Sequence, residues 1–264
     1  KDDSDCAISH NGDTFYFSGS DIAKDSDCPM IFVTWYGAVA YCNWLSKQKE
    51  LSPAYNLNDW SIKDRVDKLE GYRLPFAPEW EYVAYGGENG NYTVYSGSND
   101  FKEVAWFSNN SDGRTHSVGE KRANELGVYD LSGNVNEWTN SPSGNKQIVV
   151  GGGWFDPAKR NKVFNSRVPF SPFNTYSTFG FRIIRTSKRG PKHNNEQFIN
   201  NTNCSNSNKT NELVWKNNTY NLYTKLVDYD KEMITDSFYI SSYVCPCECQ
   251  IILAKKCSII LPNV

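Results

Sequence analysis

The chain has 264 residues, 39% hydrophobic and 14% aromatic, with 28 basic against 30 acidic side chains for a net charge of -2. That is enough apolar material for one large domain or two small ones, and there is no basic excess to steer the chain onto nucleic acid. No apolar run approaches the roughly 20 residues of a membrane-spanning helix.

The first 28 residues are polar and read as loop, with one short strand over 14–17. Ile31, Phe32 and Val33 form a short apolar run. Thr34 can then cap a helix over 35–48, whose Trp35, Ala38, Val39, Cys42 and Leu45 share one face at 3/4 spacing. Residues 51–68 read as polar loop with short structure. A second helix carries Pro78 in its first turn, where proline is tolerated. Trp80, Val83 and Ala84 face inward, and Gly86-Gly87 stops it. From about 90 to 187, short apolar pieces alternate with Gly, Asn, Ser and Pro, the pattern of irregular loops with scattered short strands. Phe181 to Arg185 alternates as a strand. Pattern alone gives an α+β class. Residues 188–212 are an Asn-rich linker, and structure resumes at Leu213.

Eight cysteines fit disulfides in an exported protein, although a chain of this size does not require them. Glycosylation triplets at Asn91, Asn109, Asn200, Asn203, Asn208 and Asn217 point weakly the same way. Cys245, Cys247 and Cys249 alternate too tightly for common zinc spacings, so disulfides or free thiols are preferred there. His10, His116 and His193 are scattered without metal spacing. Glu79 and Glu81, two apart on a helix, point to different sides and are read as structural, as are Arg73 and Arg182.

Four blocks in order, Tyr72-Arg73-Leu74-Pro75 with Glu79-Trp80-Glu81-Tyr82, Tyr129 to Trp138, Gly151-Gly152-Gly153-Trp154 and Gly180-Phe181-Arg182, resemble the formylglycine-generating enzyme (sulfatase-modifying factor) family. The resemblance implies a loop-rich variant of the C-type-lectin fold over 1–187. It also implies a pair of catalytic cysteines that bind copper and oxidise a sulfatase cysteine. Their positions fall here on Asp156 and Asn161, which cannot ligate copper as thiolates do. No copper is therefore expected. Calcium is expected, ahead of the alternative in which Asp130 and Glu137 only cap turns and Trp138 is core: Asp130, Gly133, Val135 and Glu137 match the family's loop, in which two side chains and two backbone carbonyls supply the hard oxygens the ion prefers. Residues 235–243 resemble the family's opening strand, yet stand last. A circular permutation, with 213–264 completing the domain, competes with a truncated second repeat and with coincidence. Permutation is preferred because chain ends commonly lie close together.

The segment 154–179 interleaves aromatic and small polar side chains, the mix used by adaptable binding sites. In the family it builds the substrate cleft, and the segment is similar to the variable block of retroelement-diversified binding proteins with this fold. Trp154, Phe155, Asp156, Lys159, Asn161, Phe164, Asn165, Phe170, Phe173, Asn174 and Tyr176 are the candidate ligand contacts, with part of the aromatics open to being core instead. The expectation is a non-catalytic protein that binds a protein or carbohydrate at a cell surface or outside the cell. An enzyme of the same superfamily and a structural envelope subunit are the alternatives. Sulfur-oxidising relatives need a histidine cluster that three isolated histidines do not provide.

Overall fold

The computed structural model describes residues 8–10, 15–164 and 166–186. The expected linker at 188–212, the segment 213–264 and the proposed permutation lie outside them.

A small antiparallel hairpin, β1 (Ile8–His10) and β2 (Phe15–Phe17), opens the chain. The apolar run at 31–33 is not a strand: Phe32 adopts a positive φ of 56° and turns the chain into helix α1 (Trp35–Gln48). Thr34 caps that helix as its sequence predicts, its hydroxyl accepting the Gly37 N–H at 3.0 Å. The apolar face predicted for α1 is the buried one, except that Leu45 is only half-buried. Buried Asn43 extends it by bonding both the N–H and the C=O of Tyr55 at 3.0 and 2.8 Å. Two tryptophans cross between α1 and the central sheet. The Trp35 Nε1 donates to Thr139 O at 3.0 Å, and the Trp138 Nε1 donates to Val33 O at 2.9 Å. Each ring removes on the order of 150–250 Å² from water, an upper estimate of about 4–6 kcal/mol apiece.

β3 (Tyr72–Arg73) leads into α2 (Ala77–Ala84), which ends at left-handed Gly86, where the sequence places its stop. Trp80 and Ala84 are buried, and Val83 is half-buried. The helix start is closed by tertiary partners: Glu79 accepts the Phe76 N–H at 2.8 Å, and the Ser141 hydroxyl accepts the Ala77 N–H at 2.8 Å. A four-residue helix, α3 (Phe101–Val104), follows.

The central sheet has the order β6-β5-β4-β7. β4 (Asn136–Ser143) and β5 (Lys146–Val150) form a bulged antiparallel hairpin, β6 (Val168–Phe170) extends it antiparallel, and β7 (Phe179–Phe181) pairs parallel to β4. β8 (Ile184–Arg185) pairs with β3. The strand expected over 181–185 is thus two strands in two sheets, because Arg182 and Ile183 turn inward between them. The architecture is α+β and loop-rich, as its pattern indicates. No helix among the described residues is long and apolar enough to cross a membrane.

Candidate functional site

Three residues of the loop before β4 have left-handed backbones: Asp130 (φ 58°), Gly133 (81°) and Asn134 (62°). Asp, Gly and Asn are the residue types that tolerate this conformation. A Cβ on Gly133 would also collide with the backbone of Trp106, with which it forms an isolated parallel bridge. Asn134 is buried and exchanges two side-chain bonds with the backbone of His116, at 3.1 and 3.0 Å. The loop is therefore specified by backbone shape as well as by oxygen chemistry.

The four residues expected to hold calcium are all buried. Glu137 is bound by Trp80 Nε1 at 2.6 Å and bidentately by Arg182 at 2.6 Å for both bonds. Those three bonds use most of the roughly four acceptor positions of a carboxylate, leaving one on Oε1. The Asp130 Oδ2 accepts the Gly119 N–H at 2.8 Å. Burial pushes the Asp130 carboxyl up to about 6, opposed by the Gly119 bond and by Arg182, and assisted by the negative charges of Glu137 and Glu120. A further cation would relieve that buried acidity, so the residues are compatible with one that shares Glu137 with Arg182. Among the described residues no three His, Cys, Asp or Glu side chains group to hold a metal, so any ion here depends on backbone carbonyls.

The turn after β5 carries the two positions where the resemblance expects thiols. The Asp156 Oδ2 accepts the Gly153 N–H at 3.0 Å and the Asn136 amide at 2.9 Å. Asn161 is fully buried and donates to Pro157 O at 3.0 Å. A Cβ on Gly152 (φ 70°) would come 2.6 Å from the Asn161 Oδ1, so glycine and asparagine fit each other here. Both side chains thus knit the turn together. No described thiol enters it: Cys28 packs with the Ala23, Ile31 and Val135 cluster, and Cys42 is buried in the main core, where burial pushes its thiol far up.

The candidate ligand contacts divide. Phe155 (71% exposed), Phe164 (53%), Phe173 (73%) and Tyr176 (44%) present large apolar surface, and Lys159 is exposed. Trp154 is buried, its Nε1 donating to Ser177 O at 3.0 Å, and Asn161 is fully buried, its amide donating to Pro157 O while its Oδ1 has no hydrogen-bond partner among the described residues. Phe170 packs on the core, 4.8 Å from the Phe179 ring. Asn174 is half-buried, its backbone N–H donating to Ser171 O at 2.9 Å. Asn165 lies outside the described residues.

Two residues missed by the sequence reading extend the aromatic surface. Phe173 stands 4.9 Å from the Tyr36 ring, and Tyr36 stands 4.7 Å from Trp60. Two backbone bonds fix this junction, Trp35 N–H to Pro172 O at 3.1 Å and Phe32 N–H to Tyr176 O at 3.2 Å. Trp60 holds a positive φ of 63°, unusual for a bulky residue. Nothing in local sequence joins 36, 60 and 173, so only the fold reveals the group. Also missed was a stack of His116 on Trp106, with centroids 3.7 Å apart, and of the Lys121 ammonium over the Trp106 ring at 3.8 Å.

The sulfatase-modifying factor enzyme 1-like domain family matches residues 2–187. The chain belongs to this family. Its architecture is accordingly the formylglycine-generating-enzyme variant of the C-type-lectin fold. Similar proteins of the family differ in name. A chaperone protein LppX from Paenibacillus barcinonensis is 36% identical over 169 residues, 50% of this chain and 60% of the relative. An inactive Cα-formylglycine-generating enzyme 2 from Bos taurus is 28% identical over 193 residues, 66% of this chain and 55% of the relative. The chain thus spans little more than half of these relatives. Among solved structures, Treponema denticola variable protein 1 is 30% identical with a TM-score of 0.53, over 66% of this chain and 73% of that one.

Proposed function

We propose that this sulfatase-modifying-factor domain is a non-catalytic binding protein working at a cell surface or outside the cell. The observation that carries this reading is the turn at 153–161. The places of the two thiols hold an aspartate, bonded through Oδ2 to Gly153 and Asn136, and a buried asparagine whose amide donates to Pro157 O, and neither side chain supplies sulfur. Around that turn the chain exposes aromatic rings on a scaffold tied by backbone bonds, as a preformed recognition surface requires. Support comes from the names of its relatives, which include an inactive enzyme, a chaperone and a variable protein. The exposed positions of Asn91 and Asn109, both within glycosylation triplets, are compatible with an extracellular setting. The test is a cysteine-bearing sulfatase peptide incubated with the protein and copper under air. Mass spectrometry should find the peptide unconverted, and formylglycine in it would overturn the proposal.

Calcium belongs to the same proposal as a structural ion, held by Asp130, Glu137 and the carbonyls of Gly133 and Val135. It would supply positive charge to a buried, acidic loop and no chemistry. Thermal melts should then show a higher Tm in millimolar calcium than in chelator. An unchanged Tm would leave Arg182 as the loop's sole counter-charge.

A further inference from the structure

The turn between Phe155 and Phe164 carries charge as well as aromatic surface. Lys159 and Lys162 are exposed and have no hydrogen bond or ion pair with any described residue. Arg160 is half-exposed, and the carboxylate it approaches, that of Asp156, stands 3.8 Å away. Asp156 is the only acid of the turn, and its Oδ2 is already bonded by Gly153 and Asn136. The turn therefore presents a local positive charge on a chain whose net charge is -2. Its shape is fixed by the Asn161 bond to Pro157 O and by two backbone bonds, Ser108 N–H to Asp156 O and Val163 N–H to Val94 O. Little ordering would be left for a ligand to impose.

We infer that the turn 155–164 docks an acidic polypeptide segment bearing a large apolar side chain. The carboxylates meet Lys159, Arg160 and Lys162, and the apolar side chain meets Phe155 or Phe164. This rests on the binding reading above and names the ligand class. A polypeptide is favoured over a polyanion such as an acidic polysaccharide for two reasons. A net-negative molecule repels a long polyanion beyond the patch, whereas a short segment feels mainly charges within the roughly 8–10 Å Debye length. The exposed rings of Phe155 and Phe164 also reward burial of a large apolar side chain, which a charged polysaccharide lacks.

The experiment is selection of a displayed random dodecapeptide library on the whole protein at low salt. Enriched peptides are then measured against K159E/K162E and F155A/F164A, all four positions being exposed. The expected result is an acidic consensus with at least one aromatic or large aliphatic residue. Its affinity should fall about tenfold or more in K159E/K162E and on raising the salt, and should fall again in F155A/F164A. A neutral or basic consensus, or acidic peptides that bind K159E/K162E equally well, would overturn the ligand class while leaving the binding reading intact. Retention of heparin oligosaccharide without peptide enrichment would overturn the ligand class as well. No enrichment and no retention would overturn both.

Discussion

Asp130 shows how one residue can be required by shape and disfavoured by charge. Its backbone is left-handed, which aspartate tolerates, but its carboxyl is buried beside Glu137 and rises from 3.8 to about 6. Because the folded value lies above the unfolded one, Asp130 favours the fold in its neutral form at acid pH. That contribution is lost as pH rises through about 6. Asparagine keeps the backbone preference and an acceptor for the Gly119 N–H while removing the charge. In chelator, Asp130→Asn should therefore raise Tm at pH 7.5, by stability on the order of 3 kcal/mol, and give little change at pH 4. A lower Tm at pH 7.5 would show that the charge itself is needed. In calcium the same substitution should remove most of the metal-dependent gain in Tm.

Helix α2 fastens three parts of the molecule with three consecutive side chains. Glu79 binds Arg73 bidentately at 2.6 and 2.7 Å, Trp80 donates to Glu137, and Glu81 binds Arg167 at 2.6 and 2.7 Å. The sequence indicated that Glu79 and Glu81 face different ways and that Arg73 and Arg182 are structural, and both hold. It did not indicate the partners, because 81 and 167 or 137 and 182 meet only after the sheet has formed. The Glu137 group is the most buried of these pairs, both side chains being nearly inaccessible. Removing the acid alone leaves a buried guanidinium without its counter-charge and the Trp80 indole N–H without its acceptor, so Glu137→Ala should cost about 3–5 kcal/mol in chemical denaturation. Arg182→Lys should recover little, since an ammonium cannot reproduce the two-point contact. A cost near zero for either would mean that the pair is not formed in solution.

The whole molecule separates scaffold from display within one short segment. Trp154 and Phe155 are neighbours, yet the first is 7% exposed and the second 71%. Trp154→Ala should lower stability by about 3–5 kcal/mol. Phe155→Ala and Phe173→Ala should stay within roughly 1 kcal/mol of the parent in thermal melts. Under the proposed function those two substitutions weaken ligand capture without unfolding the protein. If Phe155→Ala instead unfolds it, the ring belongs to the core and the display surface is smaller than described.

The sequence by itself determined both main helices, the Thr34 cap of the first and the Gly86 stop of the second, the family, and the absence of sulfur at 156 and 161. These are local matters: spacing, residue type and order along the chain suffice to state them. Only the tertiary structure decided which aromatics are buried, which acids meet which arginines, and that Tyr36 and Trp60 join Phe173 in one surface. Most of those facts depend on contacts between residues tens of positions apart, and burial is a property of the packed assembly that no single stretch of chain encodes.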